Sequence, residues 1–252
     1  MTGPLNSAIL TGAGGGIGRE ILQTLVAKGI SVLATDLSES ALASAADELK
    51  DLPGKIICSA GNITDPDFAV ALTARALDAF GGISLLINCS GFLKDARFQK
   101  MSDDLFRTLI AVNLIGPIRL IEAVTPYMKQ EGRGRIISLA SRAWLGNFGS
   151  SGYSAAKGGI VGYSRALALA LAPHGITVNC VAPGFIDTPM ARSLPPEIMQ
   201  RVLEAIPVGR AGTVQDVSAL VAFLASDESG YITGQTLVAC GGRSISDPIS
   251  AK

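Results

Sequence analysis

The sequence predicts an α/β fold, a single-domain, doubly wound parallel sheet of about seven strands with helices on both faces. Three observations predict it. Short aliphatic runs alternate with helical patterns along nearly the whole chain, which is the order that βαβ units require. The first run leads through a glycine-rich turn directly into a helix. The composition favours small apolar residues, with 29 Gly and only 5% aromatics, which suits tight strand–helix packing. At 252 residues the chain is long enough for one sizeable core, so residues 1–252 are expected to form one domain. No repeat, linker or low-complexity tract interrupts it.

The first strand is Ser7 to Thr11. It runs into Gly12-Ala13-Gly14-Gly15-Gly16-Ile17-Gly18, then a helix with Ile17, Ile21, Leu22, Leu25 and Val26 on one side. Strand, glycine turn and helix together place a helix N-terminus against a pyrophosphate, and the glycines let the backbone approach it closely. The spacing is G-x-x-x-G-x-G, and no Gly-Lys-Ser/Thr follows, which excludes a P-loop. A second strand, Ser31 to Thr35, ends at Asp36, eighteen residues past Gly18. A carboxylate there can accept from adenosine ribose hydroxyls and would repel a 2′-phosphate. Ser38 is placed to cap the next helix.

Lys55 to Ser59 is the third strand, followed by Gly61-Asn62-Ile63 and a helix from about Asp65 to Phe80. The fourth, Ser84 to Asn88, runs into Asn88-Cys89-Ser90-Gly91. A long helical segment follows from Ser102 to Lys129, with irregularities expected at Pro117 and Pro126. Asn113 sits in it among Leu109, Ile110, Val112 and Leu114 and must find polar partners there. Strand five, Arg135 to Leu139, leads to Ser141, and strand six, Ile176 to Val181, leads to Pro183-Gly184-Phe185-Ile186-Asp187-Thr188. Thr236 to Ala239 is the last strand.

Between strands five and six lies a helix carrying Tyr153 and Lys157. Four residues apart, they project from one helix face. An ammonium beside a phenol favours phenolate and is expected to lower the tyrosine pKa toward working pH. Such a tyrosine exchanges a proton with an alcohol or carbonyl oxygen. Taken alone the spacing is commonplace; its meaning comes from the glycine turn upstream.

Several function classes lack support. Basic and acidic residues balance at 21 each, with no basic tract, so neither nucleic acid nor an anionic membrane is an expected partner. Cys58, Cys89, Cys180 and Cys240 form no C-x-x-C pair and read as free thiols in a reducing compartment. With His174 the single histidine, at a helix end, no metal site is expected. The first residues lack the pattern of a signal peptide, and no continuous apolar run reaches a membrane span. A cytoplasmic location is therefore expected.

In their order, Thr11-Gly12-x-x-x-Gly16-x-Gly18, Asn88-x-x-Gly91, Asn113, Ser141, Tyr153-x-x-x-Lys157, Asn179 and Pro183-Gly184 resemble the short-chain dehydrogenase/reductase family from Ser7 to about Gly242. The resemblance implies hydride transfer between a nicotinamide cofactor and a secondary alcohol or ketone. By it, Tyr153 is the general acid/base, Ser141 binds the substrate oxygen, and Lys157 tunes Tyr153 and holds the nicotinamide ribose. Asn113 would hold a water in the proton relay. The cofactor would lie against Gly12, Gly15, Gly16, Ile17, Gly18, Asp36, Leu37, Asn62, Ile63, Asn88, Ser90 and Gly91. Its nicotinamide end would meet Tyr153, Lys157, Pro183, Gly184, Ile186 and Thr188. Asp36 selects NAD as the expected cofactor, with Arg19 the nearest cation in sequence and expected to face outward or the phosphates.

Three departures stand out. Asn62 replaces the usual Asp, Cys89 stands where Asn or Ala is common, and the interval from Ser141 to Tyr153 is one residue short. Ser138 competes with Ser141, but strand alternation disfavours it. Leu93, Trp144 and Phe148, with Ser141, Tyr153 and a loop at about 188–212, are expected to wall an apolar small-molecule substrate. A 3-oxoacyl-acyl-carrier-protein reductase is the alternative, although such members usually carry Arg in the glycine loop for NADPH. A non-catalytic dinucleotide sensor is a third reading. Small residues along the helix of Tyr153 suit close helix–helix contact. The resemblance implies a homotetramer, through that helix and its predecessor and through Val214 to Ala239.

Overall fold

The computed structural model describes residues 5–192 and 195–246, and for residues 189 and 190 the backbone alone. The ends of the expected domain and two residues of the 188–212 loop lie outside these. Seven parallel strands form the sheet: β1 (Ser7–Thr11), β2 (Ser31–Asp36), β3 (Ile56–Ala60), β4 (Leu85–Asn88), β5 (Gly134–Leu139), β6 (Ile176–Pro183) and β7 (Thr236–Ala239). Their spatial order is β3-β2-β1-β4-β5-β6-β7. The chain first winds outward from β1 to β3, then returns to β4 and winds the other way. A crevice opens at that reversal, beyond the carboxyl ends of β1 and β4.

Between the strands run α1 (Gly16–Ala27), α2 (Glu39–Glu48), α3 (Pro66–Phe80), α4 (Asp103–Ile110), α5 (Gly116–Glu131), α6 (Ser151–Leu171), α7 (Pro189–Arg192), α8 (Pro196–Glu204) and α9 (Val214–Leu224). Strand alternation sends neighbouring residues to opposite faces. Ala8, Leu10, Val32, Ala34, Leu85 and Ile87 pack with Ile21, Leu22, Leu25, Val217 and Val221. Ile9, Leu33, Leu86, Ile136 and Val178 pack on the other side with Leu72, Leu120, Ile121 and Val124. Both faces are covered, as an all-parallel sheet demands. Ser38 caps α2 through Ala41 N at 3.2 Å, as its position predicted.

The Ser102–Lys129 segment departs from expectation. It is irregular at Ala111–Ile115, where a π-helical turn lies between α4 and α5, with Gly116 N bonding Ala111 O. Pro117 supplies the reason: it has no N–H for the Asn113 carbonyl four residues back, and its ring would collide with it in a regular helix. Widening the turn upstream relieves both. Pro126, by contrast, lies within the continuous helix α5.

Within Asp103–Glu131 an 18-residue window of mean hydropathy 1.5 makes the stretch long and apolar enough to cross a membrane by length and composition. Here its buried residues Leu109, Leu120, Ile121, Val124 and Met128 instead serve the core of this fold.

Candidate active site

The glycine turn is built by close approach. Gly12 has φ +70, and a Cβ there would lie 2.9 Å from Ser90 N and Cα. A Cβ on Gly18 would lie 2.0 Å from Gly12 O. Gly15 and Gly16 are exposed at the start of α1, which has no side-chain cap, so its first N–H groups face the crevice. Ile17 is half-buried and packs toward the core. Thr11 holds the turn to the next strand: its Oγ1 accepts from Cys89 N at 3.0 Å and Ser90 N at 2.9 Å. Sequence reasoning gave Thr11 no role, although a hydroxyl at a strand end beside the glycine turn was the available signal.

Asp36 ends β2 beside this turn. Its Oδ2 accepts from Gly14 N at 3.1 Å and its Oδ1 from Ser38 N at 3.2 Å. One lone pair on each oxygen is left for a ribose hydroxyl. Leu37 beside it is 74% exposed. Arg19 turns away, bonded to Ser44 Oγ at 3.4 Å and ion-paired with Glu48. Asn62 is exposed, with its Oδ1 held by Thr64 N and Oγ1. These groups suit an adenosine dinucleotide: the glycines leave room for a backbone-bound pyrophosphate, and the carboxylate is fixed and joins no ion pair among the described residues.

Other expected cofactor contacts are placed differently. Asn88 is buried, with Nδ2 donating to Ser138 Oγ at 3.4 Å, so its side chain lies behind the crevice. Its Oδ1 is buried without a partner among the described residues. Ile63 and Ile186 are buried, 7% and 8% exposed, in the two main cores. Gly184 follows Pro183 at the end of β6, and a Cβ there would lie 2.7 Å from Cys240 Cα. Thr188 returns toward α1, its Cγ2 3.4 Å from a Cβ on Gly16.

Tyr153 and Lys157 occupy the first two turns of α6, and Lys157 Nζ lies 5.6 Å from the Tyr153 ring centroid. Lys157 is buried and donates to Leu139 O at 2.6 Å, leaving two of its three N–H groups. Burial pulls its ammonium down to about 8. The expected depression of the tyrosine does not follow. Burial pushes the Tyr153 phenol above its ordinary value, and its hydrogen bond with Ser141 offsets only part of that. Desolvation, which disfavours phenolate, outweighs the Ser141 hydrogen bond, and the charges of Cys89 and Asp95 add to the rise.

Ser141 is therefore bonded to the phenol, while buried Ser138 serves Asn88. Ser141 Oγ also accepts from Ala143 N at 3.2 Å. Asn113 is buried against the same site. Its Nδ2 donates to Phe92 O at 2.8 Å and Leu109 O at 3.0 Å, and its Oδ1 accepts from Phe92 N at 3.2 Å. A Cβ on Gly91 would lie 3.2 Å from Asn113 Oδ1 and 3.8 Å from Lys157 Nζ, so Gly91 admits both groups. Cys89 lies near Lys157, and burial pushes its thiol up to about 12, leaving it protonated. Asn179 is structural, tying Ile232 O and Gln235 N to β6.

Of the expected substrate wall, Leu93 is 41% and Phe148 89% exposed. Trp144 instead packs, half-buried, against the cluster of Ala140, Ile160, Val161, Cys180 and Ala182, with its Nε1 buried and without a partner among the described residues.

Residues 12–244 match the family described as Enoyl-(Acyl carrier protein) reductase. The chain belongs to the short-chain dehydrogenase/reductase family. It is thus an oxidoreductase of the nicotinamide-dinucleotide-binding kind. The 3-oxoacyl-[acyl-carrier-protein] reductase FabG of Salmonella typhimurium is 42% identical over 236 residues, 93% of this chain and 96% of that protein. The (2S)-[(R)-hydroxy(phenyl)methyl]succinyl-CoA dehydrogenase subunit BbsD of Thauera aromatica is 37% identical over 238 residues, 94% and 96% of the two chains. The crystal structure of levodione reductase superposes with a TM-score of 0.92 at 26% identity, covering 97% of this chain and 99% of that one. The short-chain dehydrogenases so identified differ in substrate, which turns attention to this chain's own residues.

Proposed function

We propose that the protein interconverts a secondary alcohol and a ketone using NAD, with Tyr153 as general acid/base. The supporting observation is the convergence of the Ser141 hydroxyl, the Tyr153 phenol and the Lys157 ammonium beside the crevice. Bound NAD supplies the hydride chemistry. In reduction, Ser141 and Tyr153 both donate hydrogen bonds to the carbonyl oxygen, and Tyr153 gives up its proton as the alcohol forms. Burial keeps the phenol protonated beforehand; Lys157, through charge, stabilises the phenolate left behind. Oxidation reverses each transfer. The free N–H groups of Lys157 suit the nicotinamide ribose. Asn113, through its amide clamp on Phe92, holds the neighbouring loop; with Pro117 giving its carbonyl no helical donor, that oxygen is suited to a relay water.

NAD over NADP rests on Asp36. A 2′-phosphate beside that carboxylate would meet a penalty of about 1–4 kcal/mol, or roughly tenfold to several-hundredfold. Arg19, engaged by Glu48 and Ser44, does not offset it. Catalytic efficiencies with NAD and NADP, in wild type and Asp36→Ala, test this. NAD preference that collapses in the variant is expected; NADP preference in wild type would sink the reading.

The 42% identity to a 3-oxoacyl-[acyl-carrier-protein] reductase supports a second reading, a reductase of acyl-carrier thioesters. A panel of ketones, secondary alcohols and a 3-oxoacyl thioester, run with both cofactors, separates the two. Efficient turnover of the thioester alone would favour the second. Any turnover excludes a silent dinucleotide sensor. The residues from about 188 to 212 form the substrate-side loop of a single-domain enzyme, which the free thiols suit to the cytoplasm.

A homotetramer is part of the proposal. On α6 the exposed residues Ala155, Gly162, Ala166, Leu169 and Ala170 form one stripe, with open space around Gly158 and Gly162. Phe223 on α9 is 41% exposed and Tyr231 lies fully open, which suits the second contact.

A further inference from the structure

The loop that follows β4 is fastened at two places, and the second has no part in the chemistry described so far. At its start, Phe92 is clamped by the Asn113 amide, through its N at 3.2 Å and its O at 2.8 Å. Further along, Asp95 and Ala96 meet the residues that lead into α6. Ala96 N donates to Gly149 O at 2.8 Å, and Ala96 and Ser150 form an isolated parallel bridge. The Ser150 hydroxyl donates to Asp95 Oδ1 and accepts from Asn147 Nδ2 at 3.0 Å.

Ser150 stands at the N-cap of α6 and is 1% exposed. A serine there ordinarily turns its oxygen onto the N–H groups of the first turn. This one makes no cap hydrogen bond; its proton goes instead to a carboxylate from another segment. Asp95 is thereby held at the head of a 21-residue helix, where the helix dipole favours negative charge. Tyr153 is the third residue of that helix. Ser150 O accepts from Ser154 N at 2.8 Å, so a shift of Ser150 passes directly to the turn that carries the phenol. Gly152, between them, is buried, and a Cβ there would lie 2.8 Å from Leu109 Cδ1 and 3.2 Å from Phe106 Cδ2. The first turn of α6 thus rests on α4 and is tied to the β4 loop by both side chain and backbone.

A buried hydroxyl donating to a carboxylate makes a strong, directional contact. Proton transfer is sensitive to what such a contact fixes, since a misplacement of about 1 Å in a reacting group costs on the order of a hundredfold in rate. The Asn113 clamp holds Phe92, and Leu93 beside it, from a different segment. The Asp95 bond therefore bears on the head of α6 more than on the substrate wall.

We propose that Asp95 is a positioning residue for proton transfer: through Ser150 it fixes the first turn of α6, and with it Tyr153, against the loop that follows β4. This rests on the oxidoreductase reading of the same site.

The test compares wild type with Asp95→Ala, Asp95→Asn, Ser150→Ala and the double variant Asp95→Ala/Ser150→Ala. Steady-state reduction of a panel of ketones by NADH gives kcat and KM, and calorimetry gives the affinity for NADH. Amide hydrogen exchange of residues 92–100 and 147–156 is followed on the NADH-loaded protein and needs no turnover. Each single alanine variant should lose about tenfold to a hundredfold in kcat, with KM and NADH affinity within about twofold of wild type. The double variant should fall no further than the singles, because all three remove one bond. Asp95→Asn, whose amide oxygen still accepts from Ser150, should keep most of the wild-type kcat. Both segments should exchange faster together in either alanine variant.

A contact that merely stabilises the fold would lower the melting temperature and leave kcat in place. Unchanged kcat in Asp95→Ala, losses that add in the double variant, an Asp95→Asn as impaired as the alanine, or unaltered exchange of residues 147–156 would each overturn the proposal. A wild type that reduces no ketone would sink the oxidoreductase reading; the joint change in exchange would then still show Asp95 fixing the head of α6, and its absence would remove that as well.

Discussion

Lys157 shows how far one buried side chain departs from its reading as a residue type. The sequence places an ammonium next to a phenol, and the expected consequence is a more acidic phenol. In the fold both groups are withdrawn from water, and burial governs each: the lysine falls to about 8 and the tyrosine rises. The stability consequence has a definite sign. Unfolded, the lysine titrates near 10.5; between about pH 8 and 10.5 the unfolded chain thus holds a proton that the folded protein has released. The penalty for burying this charge is complete below pH 8 and is relieved as pH rises through that window. Lys157→Met, which keeps the bulk without the charge, should melt higher than wild type at pH 7, by a few degrees, with the gap closing toward pH 10. A gap independent of pH would contradict the depressed pKa. The same variant should weaken cofactor binding if Lys157 holds the nicotinamide ribose as proposed.

At the level of elements, the sequence was readable where local chemistry decides and less so where packing decides. Strand positions, the Ser38 cap and the glycine turn follow from alternation, hydrogen-bonding side chains and absent Cβ atoms, all local. The π-turn at Ala111–Ile115 was readable only in part: Pro117 announced an irregularity, but not that the helix would widen upstream of it, around the Asn113 that is bonded to Phe92 from another segment. Trp144 was placed in the substrate wall as part of an apolar segment, yet it packs against the cluster of Ala140, Ile160, Val161, Cys180 and Ala182. Thr11 went unassigned because its two partners, Cys89 and Ser90, lie far along the chain. Removing that acceptor strands two backbone N–H groups, at about 1–3 kcal/mol for each that finds no water. Thr11→Val should accordingly lower the melting temperature by several degrees and weaken cofactor binding together. A variant with unchanged melting and affinity would show that the clamp is not needed.

For the whole molecule, the doubly wound order explains why residues from the ends of β1, β2, β4, β5 and β6 meet in one crevice. The sheet reverses there, and parallel strands deliver all their carboxyl ends to one edge. The helices leave their own trace on the surface. Gly162, on the exposed stripe of α6, has open space where a Cβ would stand, so Gly162→Leu should fold as wild type does while blocking close helix contact. Sedimentation at micromolar concentration should find a tetramer for wild type and a smaller species for the variant; a monomeric wild type, or a variant of unchanged mass, would refute the assembly. The chemistry itself is tested most directly by Tyr153→Phe, which removes one oxygen and with it the proposed proton donor. Turnover of a ketone, followed as loss of NADH absorbance, should fall by at least about a hundredfold, with NADH affinity within about twofold of wild type. Retention of more than a few per cent of wild-type turnover would show that Tyr153 does not carry the proton.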